Sequence, residues 1–277
     1  MSTHVQATGV CELAPGLLRL RAPNPGPMTG NGTNTYLLGR RELIAIDPGP
    51  AISAHIEAIL RHAPGRIRWI LVTHTHPDHS PAARELAERS GAKVAGYPPP
   101  GSGRQDRAFA PDRALADRDT IATAEVALQA VHTPGHASNH LCYWQPMLRR
   151  LFTGDHIIDG STVVIDPPDG NMADYLASLR YIKTLDPAIL MPGHGGPLAD
   201  PIASIDALIA HRLRREAKVL AAFRPDQPLS VDELVPIVYD DVSAGLHVVA
   251  ARSLLAHLLK LERENRACRD AMRWYIR

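Results

Sequence analysis

The sequence predicts a mixed α/β (α+β) chain that closes with a small helical unit. Three observations carry this. Short apolar runs alternate with helical-period segments over the first 200 residues. Those runs end in Gly, Pro, His and Asp rather than continuing. Beyond Asp200 the strand-like runs give way to long amphipathic stretches.

In chain order, Leu17 to Leu20 reads as a strand and Pro23 to Thr35 as a turn-rich loop. Tyr36-Leu37-Leu38 and Leu43 to Ile46 form a hairpin that stops at Asp47-Pro48-Gly49. The spacing of Ile52, Ile56, Ile59 and Leu60 is helical over 51–62, and Ile67 to Val72 is a buried strand. Pro81 to Ser90 is a helix and Lys93 to Tyr97 a strand, followed by a breaker-rich loop from Pro98 to Gly103. Strands are expected at Glu125 to His132, Leu141 to Trp144, Leu151 to Thr153 and Ala188 to Met191, with a helix from Met172 to Lys183. Pro201 to Phe223 is a long helix with Asp200 as N-cap. Ser230 to Glu233 has capping-box spacing, Leu246 to Glu264 is amphipathic, and Ala267 to Arg277 suits a small hairpin. Helix, helix, hairpin is a winged-helix outline, so the expected division is 1–204 and 205–277.

Bulk properties exclude several roles. With 277 residues and a net charge of +1, the chain has no global field to recruit nucleic acid, so any polyanion site must be local. No apolar run is read as approaching the roughly 20 residues of a membrane span, and the N-terminus lacks the layout of a secretory signal. A soluble, cytoplasmic protein is the expectation. Cys11, Cys142 and Cys268 are far apart and odd in number, which suggests neither a disulfide framework nor a thiolate metal knot. Histidine is the unusual residue, at 14 copies.

Four potential metal ligands, His74, His76, Asp78 and His79, fall within six positions directly after a buried strand. Imidazole and carboxylate suit zinc and similar borderline metals. Alternate positions of an extended segment face one way, so His74, His76 and Asp78 can converge. Four ligands in so short a stretch suggest two adjacent metals. His136, Asp155 and His194, each just past a strand end, supply three more. Singly, each of these reads as a turn or capping residue.

As an ordered set, Asp47, the His74–His79 cluster, His136, Asp155 and His194 resemble the metallo-β-lactamase-fold superfamily, over about the first 200 residues. The resemblance implies an αββα sandwich with two metals, expected as Zn2+, at its mouth. It implies that His74, His76 and His136 hold the first metal, that Asp78, His79 and His194 hold the second, and that Asp155 bridges them. It gives Asp47 the role of orienting the loop or a ligand imidazole, although by spacing alone Asp47 reads equally as a plain turn residue before Pro48. The chemistry implied is hydrolysis by a metal-bridging hydroxide. Asp78 and Asp155 are the catalytic carboxylates, and His140 is a candidate proton donor to the leaving group, with His156 as an alternative. Either histidine can equally be structural.

The chain is also similar to the beta-lactamase-like-protein-2 group, which carries a C-terminal winged helix and includes endoribonucleases. Asn34-Thr35-Tyr36-Leu37-Leu38, Phe152-Thr153-Gly154-Asp155-His156, Met191-Pro192-Gly193-His194-Gly195 and Ala210 to Glu216 carry this likeness. Ser80-Pro81-Ala82-Ala83 departs from the Gly-rich turn of many superfamily members. The first expectation for substrate is single-stranded RNA, gripped by Arg212, Arg214, Arg215 and Lys218 and by Arg263, Arg266, Arg269 and Arg273, with Trp274 and Tyr275 for stacking. Residues 211–277 hold 12 Lys/Arg against 9 Asp/Glu, so these cations can equally be salt-bridge partners. The alternative is a thioesterase or glyoxalase-II-like acyl hydrolase. A β-lactamase is disfavoured by the missing export signal and by the absence of cysteine at Asp155. A single-iron persulfide dioxygenase is disfavoured by the complete second ligand set. A non-catalytic winged-helix regulator requires that the metals do not bind. Ser161, Thr162 and Pro167-Pro168-Asp169-Gly170 are expected to line the cleft, and a homodimer is left open.

Overall fold

The computed structural model describes residues 9–224 and 227–276; Arg277, the last residue of the expected hairpin, lies outside them. The first sheet has seven strands in sequence order: β1 (Val10–Ala14), β2 (Leu17–Arg21), β3 (Asn34–Leu38), β4 (Leu43–Ile46), β5 (Ile67–Leu71), β6 (Lys93–Gly96) and β7 (Arg113–Ala114). Helices α1 (Ser53–His62) and α2 (Ala83–Ser90) supply the crossovers from β4 to β5 and from β5 to β6, and the irregular segment 97–112 that from β6 to β7, so β4, β5, β6 and β7 run parallel. The second sheet is ordered β12-β11-β10-β9-β8, from β8 (Thr120–Ala122), β9 (Ala127–His132), β10 (Leu141–Gln145), β11 (Arg150–Gly154) and β12 (Ile189–Pro192). Helix α3 (Met172–Thr184) joins its last two strands, which are parallel.

Three apolar layers make this an αββα sandwich. Tyr36, Ile44, Ile46 and Leu71 from the first sheet meet Leu128, Tyr143, Phe152 and Met191 from the second. Ile56, Ile59 and Leu86 pack α1 and α2 on the outer face of the first sheet. Tyr175, Leu176, Leu179 and Ile182 pack α3 on the outer face of the second. Strands β3 and β4 are buried at every position because both of their faces are covered, which is why they read as unbroken apolar runs. Tyr36 donates to the Pro192 carbonyl at 2.7 Å, and the Gly193 carbonyl accepts from Asn34 N–H at 2.8 Å, joining the two sheets at the end of β12.

Helix α4 (Pro201–Ala221) starts as expected, with the Asp200 carboxylate accepting from Ala203 N–H. Its first half packs Ile205 into the outer layer, and its end packs Val219 into a separate core. That core also takes Leu234 of α5 (Val231–Val238), Leu254, Leu258 and Leu261 of α6 (His247–Arg263), and Trp274 of the hairpin β13 (Ala267–Asp270) and β14 (Arg273–Ile276). The Ser230/Glu233 capping box is complete. This is the winged-helix arrangement expected.

Two expectations change. Residues 244–263 do reach the length and mean hydropathy, 1.2, of a membrane span. Leu254, Leu258 and Leu261 of this stretch fill the C-terminal core. Strands β1, β7 and β8 were not expected. All three are edge strands; β7 and β8 are too short to show a period, and β1 is only partly buried, so it lacks an apolar run.

Candidate metal centre

Five loops converge at one end of the sandwich, each leaving the end of a strand. Asp47 follows β4, His74–His79 follow β5, His136 lies between β9 and β10, Asp155 follows β11, and His194 follows β12. The parallel strands bring their ends to the same edge, and rigid strands position the loops.

Two ligand clusters result. His74 Nε2 and His136 Nε2 each lie 3.0 Å from His76 Nδ1, so three imidazole nitrogens surround one point. Beside it, His79 Nε2 and His194 Nε2 stand 3.4 and 3.2 Å from Asp78 Oδ2, and 3.3 and 3.2 Å from Asp155 Oδ1. The other Asp155 oxygen, Oδ2, faces the first cluster, 3.8 Å from His136 Nε2. All seven residues singled out as ligands are therefore brought together, with Asp155 between the clusters.

The donor chemistry fits cations. His79 Nε2, His194 Nε2 and Asp155 Oδ1 are buried, have no hydrogen-bond partner, and point at one another. Unpartnered buried polar atoms are costly, so a shared cation is the natural partner. The opposite ring nitrogens are held. His79 Nδ1 donates to Asp47 Oδ2 at 2.9 Å, and His136 Nδ1 donates to the Val164 carbonyl at 2.8 Å. When neutral, both rings thus present the Nε2 lone pair. Asp47 also accepts from Thr73 N–H at 2.7 Å and Thr73 Oγ1 at 2.8 Å, and Thr73 Oγ1 in turn lies 3.0 Å from His74 Nδ1. Thr33 Oγ1 donates to Asp78 Oδ2 at 3.2 Å.

Electrostatics mark the two clusters differently. Burial is the largest influence on His194 and works against its cation, yet Asp155 and Asp78 raise it to about 10. The same opposition leaves His79 well above the usual histidine range. His76 is pushed down to about 3, first by burial and then by His136, and His74 is lowered for the same kinds of reason. Asp155 stays well below the carboxylate range despite burial, because His194 and His79 face it. With only protons to balance them, the carboxylates retain positive charge on two histidines that a metal would otherwise engage.

Close approach is built in at Gly193. A Cβ there would lie 2.8 Å from Asp155 Oδ1 and 2.9 Å from His79 Cε1.

The two proton-donor candidates stand differently. His140 is fully buried; its Nδ1 lies 2.9 Å from Thr133 Oγ1, and its Nε2 accepts from Asp155 N–H at 3.2 Å. Both nitrogens are engaged, Nδ1 by Thr133 and Nε2 by the Asp155 backbone, which leaves no proton aimed at the cleft. His156 is also fully buried, and its ring packs on Tyr175 at 4.8 Å, away from the ligand clusters. Sequence reasoning missed Thr73, Thr133 and Thr33, whose hydroxyls set these orientations. The Thr73-His74 pair and the Thr133-Pro134-Gly135-His136 turn were the available signal for the first two.

Of the cleft-lining expectations, Asp169 is buried and accepts from Ser138 Oγ at 2.5 Å and Gln105 Nε2 at 2.8 Å. It fastens the 98–107 loop beside the site. Ser80, in the segment that departs from the Gly-rich turn, donates to Asp106 at 2.8 Å.

The cations expected to grip RNA are mostly committed internally. Arg212 is buried and donates to the Val163 carbonyl at 2.5 Å, and Arg215 pairs with Asp241 at 2.7 Å. Lys218 pairs with Asp240, Arg266 with Glu216, Arg269 with Glu262 and Arg273 with Glu233, at 2.5, 3.2, 3.1 and 3.3 Å. Trp274 is buried, not displayed. Arg212, Arg214 and Arg263 are the members of the two clusters without an ion pair among the described residues, and of these Arg212 is buried.

Comparison with known proteins places these features in a family. The profile of the Metallo-beta-lactamase superfamily matches residues 28–194, and that of the Beta-lactamase associated winged helix domain matches 230–274. A Drosophila melanogaster protein named Beta-lactamase-like protein 2 homolog is 33% identical, over 93% of this chain and 91% of its own. An Atrochrysone carboxyl ACP thioesterase of Aspergillus chevalieri is 30% identical, over 96% and 89%. The crystal structure of a Beta-lactamase domain protein from Burkholderia ambifaria shares the fold, with a TM-score of 0.82, 23% identity and 99% and 95% coverage.

Proposed function

This chain belongs to the metallo-beta-lactamase superfamily and is a hydrolase, and from that premise we propose that it is a dinuclear-metal hydrolase of acyl thioesters. The observation that carries the two-metal part is the position of Asp155, with one carboxylate oxygen facing each of two adjacent ligand clusters. His74, His76 and His136 would hold one cation, and Asp78, His79 and His194 the other. Bound there, divalent cations supply Lewis acidity and a nucleophilic water at neutral pH.

The chain's own residues provide preorganisation. Asp47 and the Val164 carbonyl hold two imidazoles with their lone pairs inward. Thr33 orients Asp78, and His140 fixes the backbone of Asp155. We therefore assign His140 a positioning role in place of proton donation.

The thioester preference rests on two supports. A relative named as a carboxyl ACP thioesterase aligns with nearly the whole chain. Most cations of the C-terminal clusters are paired internally, so they supply only a sparse track for an RNA backbone. The test is parallel turnover of an acyl-thioester panel and single-stranded RNA by metal-quantified protein, with Asp78→Ala/His79→Ala as control. Thioester hydrolysis lost in the control is expected. RNA cleavage with intact thioesters would overturn the substrate assignment.

A further inference from the structure

We propose that helices α4 and α6, although they follow the catalytic sheets, are part of the metal centre, because they grip the backbone segment that fixes His136. This rests on the assignment of His136 as a ligand. Residues 161–165 have no regular secondary structure and make no backbone–backbone hydrogen bonds among the described residues. Side chains hold them instead. Arg212 of α4 donates to the Val163 carbonyl at 2.5 Å, and Ser253 of α6 accepts from Ile165 N–H at 3.2 Å. Arg252, also on α6, pairs with Asp166 at 3.3 Å.

Between these grips lies Val164, whose carbonyl receives the His136 Nδ1 proton at 2.8 Å. The consequence is geometric. If Val164 shifts, His136 loses the partner that sets its tautomer and ring plane, and its Nε2 no longer faces His76 Nδ1. Arg212 is itself fixed, buried with its guanidinium 5.3 Å from the centre of the Tyr175 ring. Val163 and Ile165 are buried in the same layer as Ala256 of α6. The winged helix therefore has a job that needs no nucleic acid: Arg212, Ser253 and Arg252 are positioning residues for a ligand on another part of the chain.

The test compares per-position Co2+ affinity and the Co2+ electronic spectrum in wild type, Ser253→Ala, Ser253→Ala/Arg252→Gln and Ser253→Thr. Loss of an outer partner of a metal-bound imidazole typically weakens binding about 10- to 100-fold. That loss is expected at the His74/His76/His136 position alone in the double variant, with a changed spectrum and an unchanged second position. Ser253→Thr, which keeps the acceptor, should restore wild-type behaviour. A folded double variant with wild-type affinity and spectrum would overturn the proposal, and if it does not fold, Ser253→Ala alone is held to the same criterion. His136→Ala separates the two levels. It should abolish first-position binding, and if it does not, the ligand assignment fails rather than the positioning argument.

Discussion

Asp47→Asn isolates the effect of one proton on the second ligand cluster. The Asp47 carboxylate accepts three hydrogen bonds, from Thr73 N–H at 2.7 Å, Thr73 Oγ1 at 2.8 Å and His79 Nδ1 at 2.9 Å. Asparagine is the same size but brings an NH2 group. If its oxygen keeps the Thr73 N–H, the amide nitrogen faces His79 Nδ1, donor against donor. His79 must then move its proton to Nε2, the atom that faces Asp78 and Asp155, and no lone pair remains there for a cation. The expected cost is about 10- to 100-fold in affinity at the second position, or roughly 1.4–2.7 kcal/mol. The same amide faces Thr73 Oγ1, which can accept from it and still accept from His74 Nδ1, so the first position should lose less than the second. Competition with a chromophoric chelator, fitted to two sites, measures both affinities, and circular dichroism confirms the fold. Equal loss at both positions, or at neither, would refute the tautomer argument.

Three further outcomes follow from the same structure. Because Asp155 and Asp78 raise His194 to about 10 and His79 well above its usual range, cation binding at the second position must release protons below that pH. Affinity should therefore rise with pH between about 6 and 9, and calorimetry in buffers of different ionisation enthalpy should show proton release; a pH-independent affinity would contradict this. Gly193→Ala places a methyl 2.8 Å from Asp155 Oδ1, so second-position binding should fall at least about tenfold in a folded protein, read by the same chelator competition. In the C-terminal core, buried Glu216 faces Lys260 at 2.8 Å and Arg266 at 3.2 Å. Burial opposes its charge, but His257 and Lys260 lower it to about 2. A lowered carboxylate stabilises the fold above its unfolded value near 4.5 and loses that effect as pH falls toward 2. Lys260 keeps its second partner, Glu264, at 2.8 Å, so Glu216→Gln should cost about 2 kcal/mol at pH 7 through the lost charge-assisted hydrogen bonds, and the deficit should shrink on acidification. Urea denaturation at pH 7 and pH 3 checks this, and a pH-7 cost below about 1 kcal/mol would count against it.

The ligand set was legible because its members sit just past strand ends, so local sequence order and three-dimensional convergence coincide. His74 to His79 and the later His136, Asp155 and His194 needed only the sheet to bring them together. What fixes those ligands was not legible. The partner of His136 is the Val164 carbonyl, and backbone carbonyls carry no sequence signal. The threonine hydroxyls that orient His74 and Asp78 look like ordinary turn residues. The arginines misled for a related reason. Arg215 meets Asp241 and Arg266 meets Glu216 across 26 and 50 residues, so a run of cations read as surface was neutralised by tertiary pairing. The long helices and the capping box of α5 were readable because their signals are local and extended. Edge strands such as β7 and β8, two and three residues long, lack the length to announce themselves.

The central claim is that one bridging carboxylate divides seven ligands between two cations. Metal content per chain, measured by mass spectrometry after exhaustive dialysis of purified wild type and of Asp78→Ala/His79→Ala, addresses it most directly. The proposed assignment predicts two divalent ions in wild type and one in the double variant, retained by His74, His76 and His136. A single ion in wild type, unchanged by the double substitution, would contradict the account.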